Sequence, residues 1–140
     1  LLKKAAALLV SLQVRRDEMD TQINSFELAC SLPGLICEYL PDSTLTFVND
    51  QFCQYVGSSR DELIGSKFFD FLTKEHQDIS QEHISCLTPE KPTALILRNM
   101  SIQESQRWQQ WQERALFDEH GVIQIIQSVG TDISALLESD

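Results

Sequence analysis

Residues 49–65, NDQFCQYVGSSRDELIG, leave the chain few choices. Two helical stretches, DQFCQYV and DELI, are ended by Gly57, which supplies a positive φ, and by Gly65. Asn49 can accept hydrogen bonds from the free N–H groups at the start of the first. Ser59 and Glu62 have the Ser-x-x-Glu spacing of a capping box at the start of the second. Helices this short do not persist alone in water, so they must lie against something. Just before them, LICEYL and LTFVN flank a PDST turn and read as a hairpin of two short strands. Short helices placed straight after a strand are expected to wall one side of a cavity.

The second half of the chain supplies the rest of the surface they need. FFDFL and a helix over KEHQDISQEHISCL come first, the helix with a partial apolar stripe of Ile79, Ile84 and Leu87. After Pro89 and Pro92 the period changes. TALILRNMSI, RWQQWQERALF and VIQIIQSVGTDI read as three long antiparallel strands, turned at ESQ and at DEHG. The whole is an α+β domain: a five-stranded antiparallel sheet with short helices on one face. On the last strand Ile123, Ile125 and Val129 are expected on one face, and Val122 and Ile126 on the other with the small Ser128 and Gly130. Apolar residues on both faces imply a sheet covered on both sides. The small residues are expected to leave space that a ligand could fill. Trp108 and Trp111 are three apart and face opposite ways unless a bulge intervenes.

Residues 1–30 hold neither Pro nor Gly. Steps of four and three pick out Ala5, Leu9, Leu12, Arg16, Met19, Ile23, Phe26 and Cys30, a heptad-like seam broken by Arg16. The expectation is an amphipathic helix over 1–25 that covers the second face of the sheet. It is also expected to pair with a second copy through Leu9, Leu12, Met19, Ile23 and Phe26, giving a homodimer. The main domain then runs over 26–134, and ALLESD, within 135–140, begins a linker. Position 1 is Leu, which reads as part of a longer protein.

Charge narrows the partners. The chain carries 11 basic and 21 acidic residues, a net charge of −10. That balance speaks against phosphate-backbone binding and against docking on anionic lipid. No stretch is long and apolar enough to span a bilayer. Cys30, Cys37, Cys53 and Cys86 show no zinc-like spacing and sit in apolar company, so they read as buried, reduced thiols of a cytoplasmic protein. Neither a phosphate loop, nor HExxH, nor Gly-x-Ser-x-Gly occurs, so an enzyme is not indicated.

In order along the chain, FVNDQFCQYVGSSRDELIG, RWQQWQERALFDEHG and GTDIS resemble the PAS domain of bacterial signalling proteins, over about residues 26–134. GTDIS is similar to that family's Asp-Ile-Thr ending, with Ser134 in place of Thr. The resemblance implies a sensory module without catalytic residues. It would bind a small ligand or partner and relay the signal to a histidine kinase or diguanylate cyclase through flanking helices. It makes Tyr39, Phe52, Tyr55, Phe68, Phe71, Trp111, Ile126, Ser128 and Gly130 candidate pocket residues. Asp132, Ile133 and Ser134 become the relay, with Asp132 capping the linker helix.

No cofactor is read with certainty from the residues; haem and flavin are the alternatives, as is a ligand-free dimerisation scaffold. For haem, the axial candidate is His76, with His83 seven residues on and nearly on the same face. For flavin, the resemblance sets a contrast: the photoactive-cysteine subfamily carries Gly-x-Asn-Cys-Arg where this chain reads GSKFF. Lys67 and Phe68 take the Asn and Cys places, and Gly130 falls near the flavin-facing Gln. These departures speak against cysteine-adduct photochemistry.

Overall fold

The computed structural model describes residues 34–138. The expected N-terminal helix and its seam fall outside them, as does Cys30. Within them, strands β1 (Leu35–Tyr39) and β2 (Leu45–Val48) form the expected hairpin. Helix α1 (Asp50–Val56) follows; Asn49 Oδ1 accepts from the Phe52 N–H, and Gly57 stops the helix at φ 77°. Helix α2 (Arg60–Leu63) carries both reciprocal bonds of the capping box between Ser59 and Glu62. Phe68–Phe71 is a single 3-10 turn, and α3 spans Lys74–Ser85 with Thr73 as its cap. Strands β3 (Thr93–Ile102), β4 (Ser105–Phe117) and β5 (Ile123–Asp132) come next, and α4 (Ser134–Glu138) ends the described chain.

The strand order is β2-β1-β5-β4-β3, every neighbouring pair antiparallel. Even positions of β3 (Ile96, Arg98, Met100, Ile102) and odd positions of β4 (Trp111, Glu113, Ala115) share one face with Tyr39, Ile126 and Ser128, all buried. The short helices cover this inner face, α1 against β1 and α3 against β3. On the opposite parity Ile36, Gln110 and Gln112 are buried too, so the middle of the sheet is shielded from both sides.

Three local expectations needed correction. The β3–β4 turn is the two-residue loop Gln103–Glu104, not ESQ, with φ of 48° and 69°. Two positive φ values suit the twist of a tight hairpin, but neither residue is one of the usual Gly or Asn signals. Between β4 and β5 the register slips: Leu116 pairs with Ile125 but Phe117 with Ile123, so Gln124 is an extra residue on β5. That bulge turns Ile123 onto the core instead of beside Ile125 and Val129, while Val122 stays exposed rather than joining Ile126. Helix α3 buries Ile84 but leaves Ile79 exposed; the fully buried Ser80 takes its place beneath the helix.

Candidate functional site

The centre of the inner face is not an apolar void but an ion pair. Arg98 Nη1 and Nη2 lie 2.8 and 3.0 Å from Glu113 Oε2 and Oε1, both side chains fully buried. The two sit diagonally, since Arg98 pairs with Gln109 and Glu113 with Ala94. Tyr39 donates its hydroxyl to the Glu113 carboxylate at 2.8 Å and accepts from Arg98 Nη2 at 3.3 Å. Ser128 Oγ donates a short bond to Glu113, and His83 Nε2 lies 2.9 Å from Oε1. Arg98 Nε donates to Ser80 Oγ at 2.9 Å. The guanidinium packs over the rings of Phe68 and Phe69, 5.2 and 5.4 Å from their centroids.

Burying two charges is costly, and only close geometry with further hydrogen bonds offsets it. Here four elements supply the bonds: β1, α3, β3 and β5 all close on the Glu113 carboxylate. Burial alone would push Glu113 up, but the Arg98 charge and the His83 and Arg98 hydrogen bonds hold it well below the usual carboxylate range. Burial, and then Glu113, pushes the Tyr39 phenol well up. Burial likewise raises the Cys37 thiol, which makes it inert.

Beside the ion pair, aromatic rings fill the space expected over the small residues. Trp111 packs 5.2 Å from Phe68 and 6.3 Å from Phe52, centroid to centroid. A Cβ on Gly130 would come within 2.5 Å of the indole. The room left by Gly130 is therefore taken by Trp111, which corrects the expected space. Of the pocket candidates, Tyr39, Phe52, Phe68, Trp111, Ile126, Ser128 and Gly130 do meet on this face, as packed core. Phe71 is only half-buried against its margin, and Phe69, not singled out beforehand, is buried instead. Trp111 Nε1 and Gln109 Oε1 are buried without a hydrogen-bond partner among the described residues.

Tyr55 stands apart, at the outgoing end of the sheet. Its hydroxyl donates to Asp132 Oδ2 at 2.5 Å and accepts from Gln109 Nε2 at 2.8 Å. Arg107 grips the same carboxylate with Nε and Nη2 at 3.0 and 3.1 Å. Asp132 Oδ1 also accepts from the Ser134 N–H at 2.8 Å, at the first turn of α4. Ser134 Oγ accepts from the Trp108 N–H at 2.8 Å, and the Ile133 N–H donates to the Trp108 carbonyl at 2.8 Å. The three relay candidates thus pin α4 to β4. Burial, then the bond to Asp132, pushes Tyr55 up to about 12. Burial pushes Asp132 up, but the bonds from Tyr55 and Arg107 outweigh it and lower it.

The two histidines of α3 meet different partners on β4. His83 points to the ion pair, whereas His76 lies edge-on to Trp108 with ring centroids 5.2 Å apart. His120 sits exposed in the 118–121 turn, where Asp118 Oδ1 accepts from the His120 and Val122 N–H groups. Of the thiols, Cys37 is buried and Cys53 half-buried, but Cys86 is exposed because it caps the end of α3. Among the described residues no three His, Cys, Asp or Glu side chains gather as a metal site, and no helix is long and apolar enough to cross a membrane.

The Arg98–Glu113 pair and its partners Ser80 and His83 were missed by sequence reasoning. A signal was there: Arg98 shares the parity of Ile96 and Met100 on one strand, and Glu113 that of Trp111 on the next. Opposite charges facing inward from neighbouring strands call for each other.

Comparison with known proteins agrees with this architecture. The two-component sensor PprA of Pseudomonas aeruginosa is 33% identical over 103 residues, 71% of this chain. The match spans only 11% of that relative's length. The PAS domain of an HTR-like protein from Haloarcula marismortui superposes with a TM-score of 0.63 at 17% identity, over 88% of this chain and 98% of that one. The PAS domain of the quorum-sensing receptor RpfR from Cronobacter turicensis, in complex with BDSF, gives 0.59 at 19% identity, over 73% and 95%. The family model of the PAS fold matches residues 30–138. The chain belongs to the PAS fold family.

Proposed function

We propose that the chain is a signal-relay module of a multidomain sensor, passing a signal through its flanking segments to an effector of histidine kinase or diguanylate cyclase type. The observation that carries this reading is the Asp132 hub. One carboxylate holds α1 through Tyr55, β4 through Arg107 and the first turn of α4 through Ser134. A small shift of the inner-face helices against the sheet then changes how α4 leaves, which biases a two-state linker. The relative PprA is named as a two-component sensor, which supports a linked kinase-type output. The module works as a cytoplasmic homodimer joined by the 1–25 segment. In the full-length protein, Asp132→Ala is expected to fix the output at one level whatever the stimulus. A normal response from that variant would overturn the reading.

Small-molecule binding is the second reading, favoured by the unpartnered Trp111 Nε1 in the aromatic cluster and by the unpartnered Gln109 Oε1 beside Tyr55. RpfR is described in complex with BDSF, and the Cycle PAS-B domain of Drosophila melanogaster with ethylene glycol. In this chain a ligand has to move Trp111 off Gly130 to enter. Haem or flavin demands a larger displacement, and a visible absorption band near ~400–450 nm in the purified protein would establish it.

A further inference from the structure

The incoming and outgoing ends of the domain lie side by side. Gly34 leads into β1, whose Leu35 pairs with Gly130 near the end of β5. Between these ends and α1 runs a cleft of about 280 Å³, lined by Gly34, Leu35, Gln51, Tyr55, Gly130, Thr131 and Asp132. Two side chains of α1 reach its two banks. Gln51 Oε1 accepts from the Gly34 N–H at 2.5 Å, at the incoming end. Tyr55 donates to Asp132 at 2.5 Å, at the outgoing end. The two are four residues apart, so they stand on one face of the helix, one turn from each other. Phe52 and Val56 on the adjoining face anchor α1 in the core. Asn49, at the cap, adds a second hold on the incoming side: its Nδ2 donates to the Gly34 carbonyl at 3.0 Å and its Oδ1 accepts from the Ile36 N–H at 3.1 Å.

We infer that α1 is a clasp that couples the incoming segment directly to the outgoing one, so that strain arriving at Gly34 reaches Asp132 through one turn of helix. This route bypasses the Arg98–Glu113 core. It rests on the relay reading above and adds a route of transfer, between upstream and downstream chain, to a module otherwise read as responding to its interior. The coupling is reciprocal, because a free energy shared between two ends acts both ways.

Amide hydrogen exchange on the 140-residue chain tests it without any effector. Gln51 is exposed, and its side chain bonds the Gly34 N–H at the incoming end. Gln51→Ala is expected to speed exchange at Ile133 and Ser134 by roughly two- to thirtyfold, the span of coupling energies between separated sites. Tyr55→Phe is expected to do the same at Gly34 and Ile36. The Trp111 amide, on the central part of β4 between Ile96 and Gly130, reports global opening and should be unchanged. If each variant loosens only its own end, the clasp does not exist. If all amides speed up together, the helix merely supports the fold, and the inference fails equally. Because exchange is read with no output domain, failure here leaves the Asp132→Ala output test intact, and the reverse holds too.

Discussion

Gly130 lies directly beneath Trp111, so close that a single added methyl group would come within 2.5 Å of the indole. The pairing is cross-strand, Trp111 on β4 opposite Gly130 on β5. Overpacking of a filled core costs about 1–3 kcal/mol. Gly130→Ala is therefore expected to lose that much in urea unfolding. In a Trp111→Leu background the same change should cost clearly less, since the two sites share one space.

Glu113 without its charge leaves Arg98 buried and unpaired. Glu113→Gln is expected to destabilise by about 3–5 kcal/mol. Replacing both members, Arg98→Met with Glu113→Leu, should recover most of that loss, though Tyr39 and Ser128 then lack an acceptor. Chemical denaturation of the two variants decides it; a double variant as unstable as the single would show that the hydroxyl bonds dominate.

Acid should unfold this domain through the same carboxylate. The folded state holds Glu113 below its ordinary value of roughly 4.3, so the unfolded chain binds the proton first as pH falls. The contribution of Glu113 is fully present above that unfolded value and declines as pH drops toward the folded one. Asp132 acts in the same direction. Thermal midpoints from about pH 6 down to about pH 3 are expected to fall steeply, and Glu113→Gln should flatten the slope.

Glu104 sits at φ 69° in the β3–β4 loop, a conformation that costs a residue with a Cβ about 1 kcal/mol. Glu104→Gly is expected to raise stability by somewhat less than that, the flexibility of glycine in the unfolded chain offsetting part of the gain. Gln103, also at positive φ, is a poorer choice, because its amide donates to the Tyr55 carbonyl.

Removal of residues 1–25 is expected to lower the mass measured by light scattering from dimer to monomer. An unchanged dimer would move the contact onto the 34–138 domain.

The sheet, the hairpins and the capped short helices were legible because each rests on local rules. Alternation marked β3 to β5, the Ser59–Glu62 box marked α2, and Gly57 marked the end of α1. Prolines at 89 and 92 marked where helix gives way to strand. The site was less legible for two reasons. Bulges are invisible to alternation, so Ile123 and Val122 were assigned to the wrong faces. Partnership between distant residues is not local either: Ser80 reads as a lapse in a weak apolar stripe until Arg98 is seen beneath it. The aromatic residues were found by type, but their role as filling followed only once Gly130 was set opposite Trp111.

The sheet order has a further consequence for how the domain is made. Strands β3, β4 and β5 are neighbours in sequence and in space, so they can zip as two hairpins with short loop closures. Strand β1, by contrast, waits for β5, almost the whole described length away. During synthesis the first strand thus emerges early and pairs with β2 on one edge, but its other edge stays open until the last strand clears the ribosome. The sheet is completed only as the segment after Asp132 is being translated, which ties the maturation of this domain to the appearance of whatever follows it.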